Sequence, residues 1–208
     1  MALLKRDYEI LTAFIVRPWK KLSFREIKEI SGKKSKGYVF DVIKEFGKEG
    51  IFASEKVGNN ILYRLNLESE KTLGYAGFIS EYIGWSKKHI PYADIEIIIK
   101  KIPTDYFTLL VTGSYAKETQ KEDSDIDIVI ICDDSKDPKK IYAELRHDAE
   151  MNIPPIHSYV FTEKDFLAML LDKKPNYGKE TARNNIILSG GRVYYKLVFK
   201  AIKNGFTG

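Results

Sequence analysis

Apolar positions recur with a helical period over the first fifty residues, and then with the two-residue period of strands. In "KRDYEILTAFIV", Tyr8, Leu11 and Ile15 share one helical stripe, which Arg17-Pro18 ends. "SFREIKEIS" opens at Ser23 with Glu26 three residues on, the reciprocal capping pattern of a second helix. After "GKKSKG", the run "YVFDVIKEFGKEG" turns Val39, Val42, Ile43 and Phe46 to one side and stops at a glycine. Two short runs, "IFASEKV" and "ILYRLNL", flank Gly58-Asn59-Asn60, whose residues suit a tight hairpin. The predicted order is helix, helix, helix, hairpin.

From Glu68 to about Pro103 the pattern is helical, with a break at Ile90-Pro91. "EKTLGYAGFISEYIGWSKK" is rich in aromatics, which reads as a face packed against another domain or subunit and leaves a homodimer open. Strands and helices then alternate. "YFTLLVTG", "DIDIVIIC" and "IHSYVFT" read as strands, with a short helix near Ser114, a helix over "DPKKIYAELRHDAE" and more helix from Glu163. The pattern predicts an α+β chain. It has an N-terminal domain at 1–68, a helical connection at 69–103, and an α/β domain with a small mixed sheet at 104–208.

Charge separates these parts further. The chain of 208 residues carries a net charge of +5, yet residues 1–68 hold 14 of the 34 basic and 9 of the 29 acidic residues. They therefore account for the whole excess, which points to different partners for the two ends. No apolar run reaches the roughly 18 residues of a membrane span, so no membrane partner is expected. The amphipathic N-terminus is not a signal peptide. The single cysteine, Cys132, excludes internal disulfides and fits the cytoplasm. Its place in "DIVIIC" makes it a buried small hydrophobe.

The stretch with chemistry in it is "VTGSYAKETQKEDSDIDIVIIC", Val111 to Cys132. Side chains two apart on a strand share a face, so Asp125 and Asp127 point the same way. Two adjacent carboxylates repel each other unless protonated or neutralised by a cation. Hard oxygen ligands with open positions suit Mg²⁺, with Mn²⁺ as a substitute, because the ion keeps waters and takes substrate phosphates. Gly113-Ser114, between a strand and a helix start, supplies the complement: close backbone approach and N–H groups for an anion. A phosphate-holding turn beside a carboxylate pair is equipment for phosphoryl or nucleotidyl transfer.

Gly-Ser, ten residues, Asp-x-Asp resembles the signature of the DNA polymerase beta-type nucleotidyltransferase superfamily. "NYGKETARNNIILSGGRVYYKLV" is similar to the tail of its small, minimal members, so the resemblance covers about residues 105–200. It implies that Gly113 and Ser114 grip the triphosphate of an NTP, with ATP the first choice, and that Asp125 and Asp127 hold divalent metal. A third carboxylate on a neighbouring strand completes such sites. Two positions depart from the pattern. An Arg-Gly pair is replaced by Lys117-Glu118, which keeps a positive residue for the nucleotide and loses a glycine. At the third carboxylate stands His157, which can act as a base but suits Mg²⁺ poorly. Glu163 and Asp165, after Thr162, read as a capped helix start, with Glu163 as the fallback for the third site. His89 and His147 read as surface residues.

The order of elements over residues 3–67 resembles the winged helix-turn-helix family. In that family the third helix enters the DNA major groove and the wing touches backbone or minor groove. Lys33, Lys34, Ser35 and Lys36, just before that helix, are placed for phosphates of double-stranded DNA. The expectation is therefore a cytoplasmic, Mg²⁺-dependent nucleotidyltransferase with a DNA-binding winged helix. Its acceptor is a protein side chain, a small molecule or RNA. The rival expectation is a DNA-binding regulator whose nucleotidyltransferase fold senses nucleotide without turning it over.

Overall fold

A computed structural model describes residues 7–208. Helix α1 (Tyr8–Ile15) buries Ile10, Leu11, Ala13, Phe14 and Ile15, a wider stripe than the three expected positions. Strand β1 (Leu22–Ser23), too short to leave a sequence pattern, leads into α2 (Phe24–Ile30). There Ser23 and Glu26 exchange both bonds of the capping box. Helix α3 (Lys36–Lys48) starts at the Ser35 cap and buries Val39, Val42, Ile43 and Phe46, the four residues its period singles out. Strands β2 (Phe52–Val57) and β3 (Asn60–Leu65) form the hairpin, and β1 adds antiparallel to β3, giving the order β1-β3-β2.

Helix α4 (Glu70–Gly84) and helix α5 (Tyr92–Ile99) lie on either side of the Ile90-Pro91 break. Helix α4 meets the C-terminal part of the chain at backbone range. A Cβ on Gly77 would fall 2.5 Å from the backbone N of Arg192, and one on Gly84 would fall 2.1 Å from the carbonyl of Ile187. Its outer face leaves Phe78 and Tyr82 exposed, and Trp85, just past its end, donates its indole N–H to the carbonyl of Leu188 at 2.7 Å.

The remainder supplies β4 (Phe107–Val111), the one-turn helix α6 (Gly113–Ala116), β5 (Ile126–Cys132), α7 (Pro138–Met151), β6 (Ile156–Thr162), α8 (Glu163–Leu171), α9 (Tyr177–Arg183), β7 (Ile186–Ser189) and α10 (Gly191–Lys203). The second sheet runs β6-β5-β4-β7 and is mixed: β5 and β6 are parallel, whereas β4 is antiparallel to both β5 and β7. Strand β7 is absent from the sequence-based expectation, because four residues between helices give no alternation to read.

Two cores sandwich this sheet. Val129 and Ile131 of β5 join Phe166, Tyr194 and Val198 in a core that continues through α4 to Phe14 and Phe46. Ile126, Ile128 and Ile130 face the other way, onto Ile141 and Leu145 of α7 and Ile95 and Ile98 of α5. Cys132 is buried, as its apolar setting implies. Among the described residues, no helix is long and apolar enough to cross a membrane.

Candidate functional site

The site forms where β4 ends beside the start of β5. The backbone N–H of Thr112 donates to the carbonyl of Asp127 at 2.8 Å, which holds the end of β4 against the first turn of β5. Gly113 follows with φ +62°, and a Cβ there would lie 2.0 Å from Asp127 Oδ2. Glycine is required twice over, by the left-handed backbone and by the carboxylate lying on it. The chain turns at once into α6, whose first turn carries the half-buried Ser114.

Asp125 immediately precedes β5, and Asp127 is its second residue, so the two flank the buried Ile126 on one face. Across the parallel ladder Asp127 pairs in register with His157 of β6. The imidazole lies between the carboxylates, with Nε2 3.7 Å from Asp125 Oδ2 and Nδ1 3.7 Å from Asp127 Oδ1. The structure therefore brings the carboxylate pair together with His157, which sequence places on a separate segment. Burial pushes the Asp127 carboxyl above its ordinary range. Asp125 and Glu180 push the same way, while His157 and Lys117 oppose them.

A pocket of about 200 Å³ opens over this face, lined among others by Gly113, Lys117, Asp127, Tyr177 and Glu180. Lys117 Nζ lies 3.0 Å from Glu180 Oε1, so the expected nucleotide-binding cation faces the pocket in an ion pair. The hydroxyls of Tyr177 and Thr112 are 3.1 Å apart, and the Tyr177 ring packs against Tyr159 with centroids 4.5 Å apart. Burial raises the Tyr177 phenol to about 12, which keeps it a neutral hydrogen-bonding group. Sequence reasoning missed Tyr159, Tyr177 and Glu180. The legible trace was Asn176, an N-cap just ahead of "YGKETAR".

Glu118 stands where the superfamily often has glycine. It takes φ +56°, the left-handed conformation glycine would adopt freely, and pairs with Lys87 at 2.5 Å. His89 is not a free surface residue, because its Nε2 meets the carbonyl of Tyr115 at 3.0 Å and ties this loop to α6. Glu163 fails as the fallback third carboxylate. It begins α8 past the far end of β6, six residues or roughly 20 Å from His157. Thr162 caps that helix by accepting from the N–H of Asp165.

The donor set also bears on a metal. Among the described residues, no three His, Cys, Asp or Glu side chains close into a metal-binding cluster. Two carboxylates on one face nevertheless suit Mg²⁺, which retains waters and fills its sphere with substrate phosphates. The imidazole beside them does not add a hard oxygen.

The basic group before α3 behaves differently. Ser35 Oγ accepts the N–H of Tyr38 as the helix cap, and Lys33 pairs with Glu9 while lying 5.8 Å from the Tyr38 ring centroid. Lys34 and Lys36 are exposed.

Residues 95–190 match the family model described as a nucleotidyltransferase domain. A search of curated proteins returns no match. A solved structure described as "Crystal structure of the toxin-antitoxin with AMP-PNP" aligns over 55% of this chain and 87% of its own, with 14% identity and a TM-score of 0.39.

Proposed function

We propose that the protein transfers a nucleoside monophosphate from an NTP, ATP by preference, to an acceptor hydroxyl. The observation that carries this reading is the Asp127 carboxylate resting on Gly113 at the pocket, with Asp125 two residues before it on the same face of the strand and 3.7 Å from His157. The match over residues 95–190 supports it independently. Backbone N–H groups after Gly113 and the Ser114 hydroxyl hold the triphosphate, and Lys117 adds positive charge at the pocket's edge. Asp125 and Asp127 hold Mg²⁺, which Mn²⁺ can replace, and a cation there neutralises charge on the phosphates. The acceptor oxygen bonds to the α-phosphorus, the bond from that phosphorus to the bridging oxygen breaks, and pyrophosphate leaves. His157, between the carboxylates, takes the proton of the attacking hydroxyl.

The N-terminal 1–68 segment fits a DNA-binding winged helix. Support comes from its order of helices, short strand and hairpin, its whole share of the excess charge, and the exposed Lys34 and Lys36. In this division, residues 69–103 connect it to the transferase domain at 104–208.

His157 also favours a second reading, a DNA-binding regulator that senses nucleotide with little or no turnover. Release of pyrophosphate with Mg²⁺ and each NTP separates the two. His157→Asp should raise release by supplying the missing oxygen ligand, and His157→Ala should lower it by removing a base, a group usually worth about 10²–10⁴-fold. A wild-type rate that is fast and indifferent to His157→Asp and His157→Ala would remove His157 from the mechanism.

A further inference from the structure

Strand β6 ends the four-stranded sheet, with β5 on one side and no strand on the other. Exposed edges are usually blunted by lysine, proline or a bulge. Ile156-His-Ser-Tyr-Val-Phe-Thr162 has no lysine or proline, and its ladder with β5 is unbroken. Among the described residues, no backbone hydrogen bond closes on its outer side. Alternate N–H and C=O groups therefore face outward, a row that only an extended polypeptide matches.

A groove of about 390 Å³ runs along this edge, walled by Tyr142, Arg146 and Ala149 of α7 and by Ile156 to Tyr159 of β6. An edge strand flanked by a helix suits a peptide added as one more strand, with alternate side chains in the groove. Large apolar side chains stand exposed at the same end. Met151, the last residue of α7, is 70% exposed, and Ile153, in the segment joining α7 to β6, is 90% exposed.

Register connects the edge to the chemistry. His157 lies directly across from Asp127. A strand added about 4.8 Å beyond β6 would set one of its side chains next to His157, on the face that carries Asp125 and Asp127.

We propose that the acceptor is a polypeptide segment bound in extended form along β6, presenting a serine, threonine or tyrosine hydroxyl beside His157. The reaction rests on the transferase reading above, whereas the binding does not. The hydroxyl oxygen becomes bonded to the α-phosphorus, pyrophosphate departs, and the hydroxyl proton passes to the imidazole.

The probe is a phage-displayed library of random peptides selected on the full-length protein, with the enriched peptides then synthesised. Affinity should fall by about tenfold or more in the doubly substituted Tyr142→Ala, Arg146→Ala protein. Both residues lie outside the catalytic pocket, so Mg²⁺-dependent ATP binding should not change. N-methylation along the peptide should weaken binding at every second residue, the signature of strand pairing. Failure to enrich any peptide, affinity indifferent to the groove substitutions, or methylation effects without alternation would each overturn the proposal. So would light scattering showing a dimer whose β6 edges pair with each other. The two readings fail separately. If peptides bind with the alternating signature while no NTP yields pyrophosphate, the transferase reading falls and the docking edge stands. If transfer goes only to a non-peptide hydroxyl and no peptide binds, the edge proposal falls and the transferase reading stands.

Discussion

In the four-stranded sheet, Gly113, Asp125, Asp127 and His157 arrive from separate segments and converge on one face. In the N-terminal unit, four consecutive residues diverge: Ser35 caps its helix, Lys33 turns to Glu9, and Lys34 and Lys36 are exposed. The difference shows what kind of pattern carries information. A glycine and an aspartate separated by a loop make sense only once a fold sets one upon the other. A short basic run has several local ways to satisfy itself, and here one of its three lysines has paired while the serine among them caps a helix.

The sharpest way to break this contrast is at Asp127. Asp127→Asn should reduce Mg²⁺-dependent ATP affinity by more than the roughly 10–100-fold that losing an outer-shell partner of a metal costs. Calorimetric titration with and without Mg²⁺ reads it, and an unchanged difference would show that the convergence has no metal-binding consequence. Gly113→Ala should match that loss, because its Cβ displaces the same carboxylate.

Acidity provides a subtler probe of the same residue. Its folded carboxyl is raised above 3.8, so the folded chain holds that proton more tightly than the unfolded chain. The contribution of Asp127 to stability is thus most favourable in acid and is lost as pH rises through the folded value. Asp127→Asn should melt higher than wild type at neutral pH, with the gap closing towards acid. Mg²⁺-dependent ATP affinity of the wild type should meanwhile begin to fall above the ordinary carboxylate range as pH drops. Melting curves with no pH-dependent gap would remove burial as the cause.

On the N-terminal side the expected effects are smaller and unequal. Lys34→Ala and Lys36→Ala should each lower the salt slope of DNA binding by about 0.9, and Lys33→Ala should leave it nearly unchanged. Equal slopes for all three would mean that the Glu9 pair opens on DNA. The smallest effect is expected from Glu118→Gly, which releases a left-handed residue at the cost of its pairing with Lys87. A rise in melting temperature of a few degrees at most should result. A fall would show that the Lys87 pair matters more than the backbone.

Most of the fold was legible because its elements announce themselves. The Ser23 capping box, the stripe of α3 and the apolar β5 all lie where period and caps put them. The spacing from Gly113-Ser114 to Asp125 and Asp127 was legible because it combines a turn residue with strand alternation. Strand β7 was not, being four residues long, and neither was β1, with two. Tyr177 and Glu180 escaped for a different reason. They lie on a helix that starts fifty residues after Asp127 in sequence and reach the pocket only through tertiary packing, which leaves no periodic trace. His157 was placed by position on its strand, and the ladder supplies the reason it counts: its partner in register is Asp127.

The contacts of α4 carry a consequence for how this chain can change over generations. Gly77 and Gly84 let the helix lie on Arg192 and Ile187 with no side chain between. One residue inserted between those glycines and the N-terminal unit would turn one end against the other by about 100°. Either the glycines would leave their seats or the hairpin unit would swing round the molecule. Substitutions on the exposed face of α4 should accumulate freely, while its length stays fixed. The front third of this chain therefore cannot be exchanged for another module by a cut made anywhere in the connection. A graft that works must carry α4 with the sheet it touches and join upstream of Glu70.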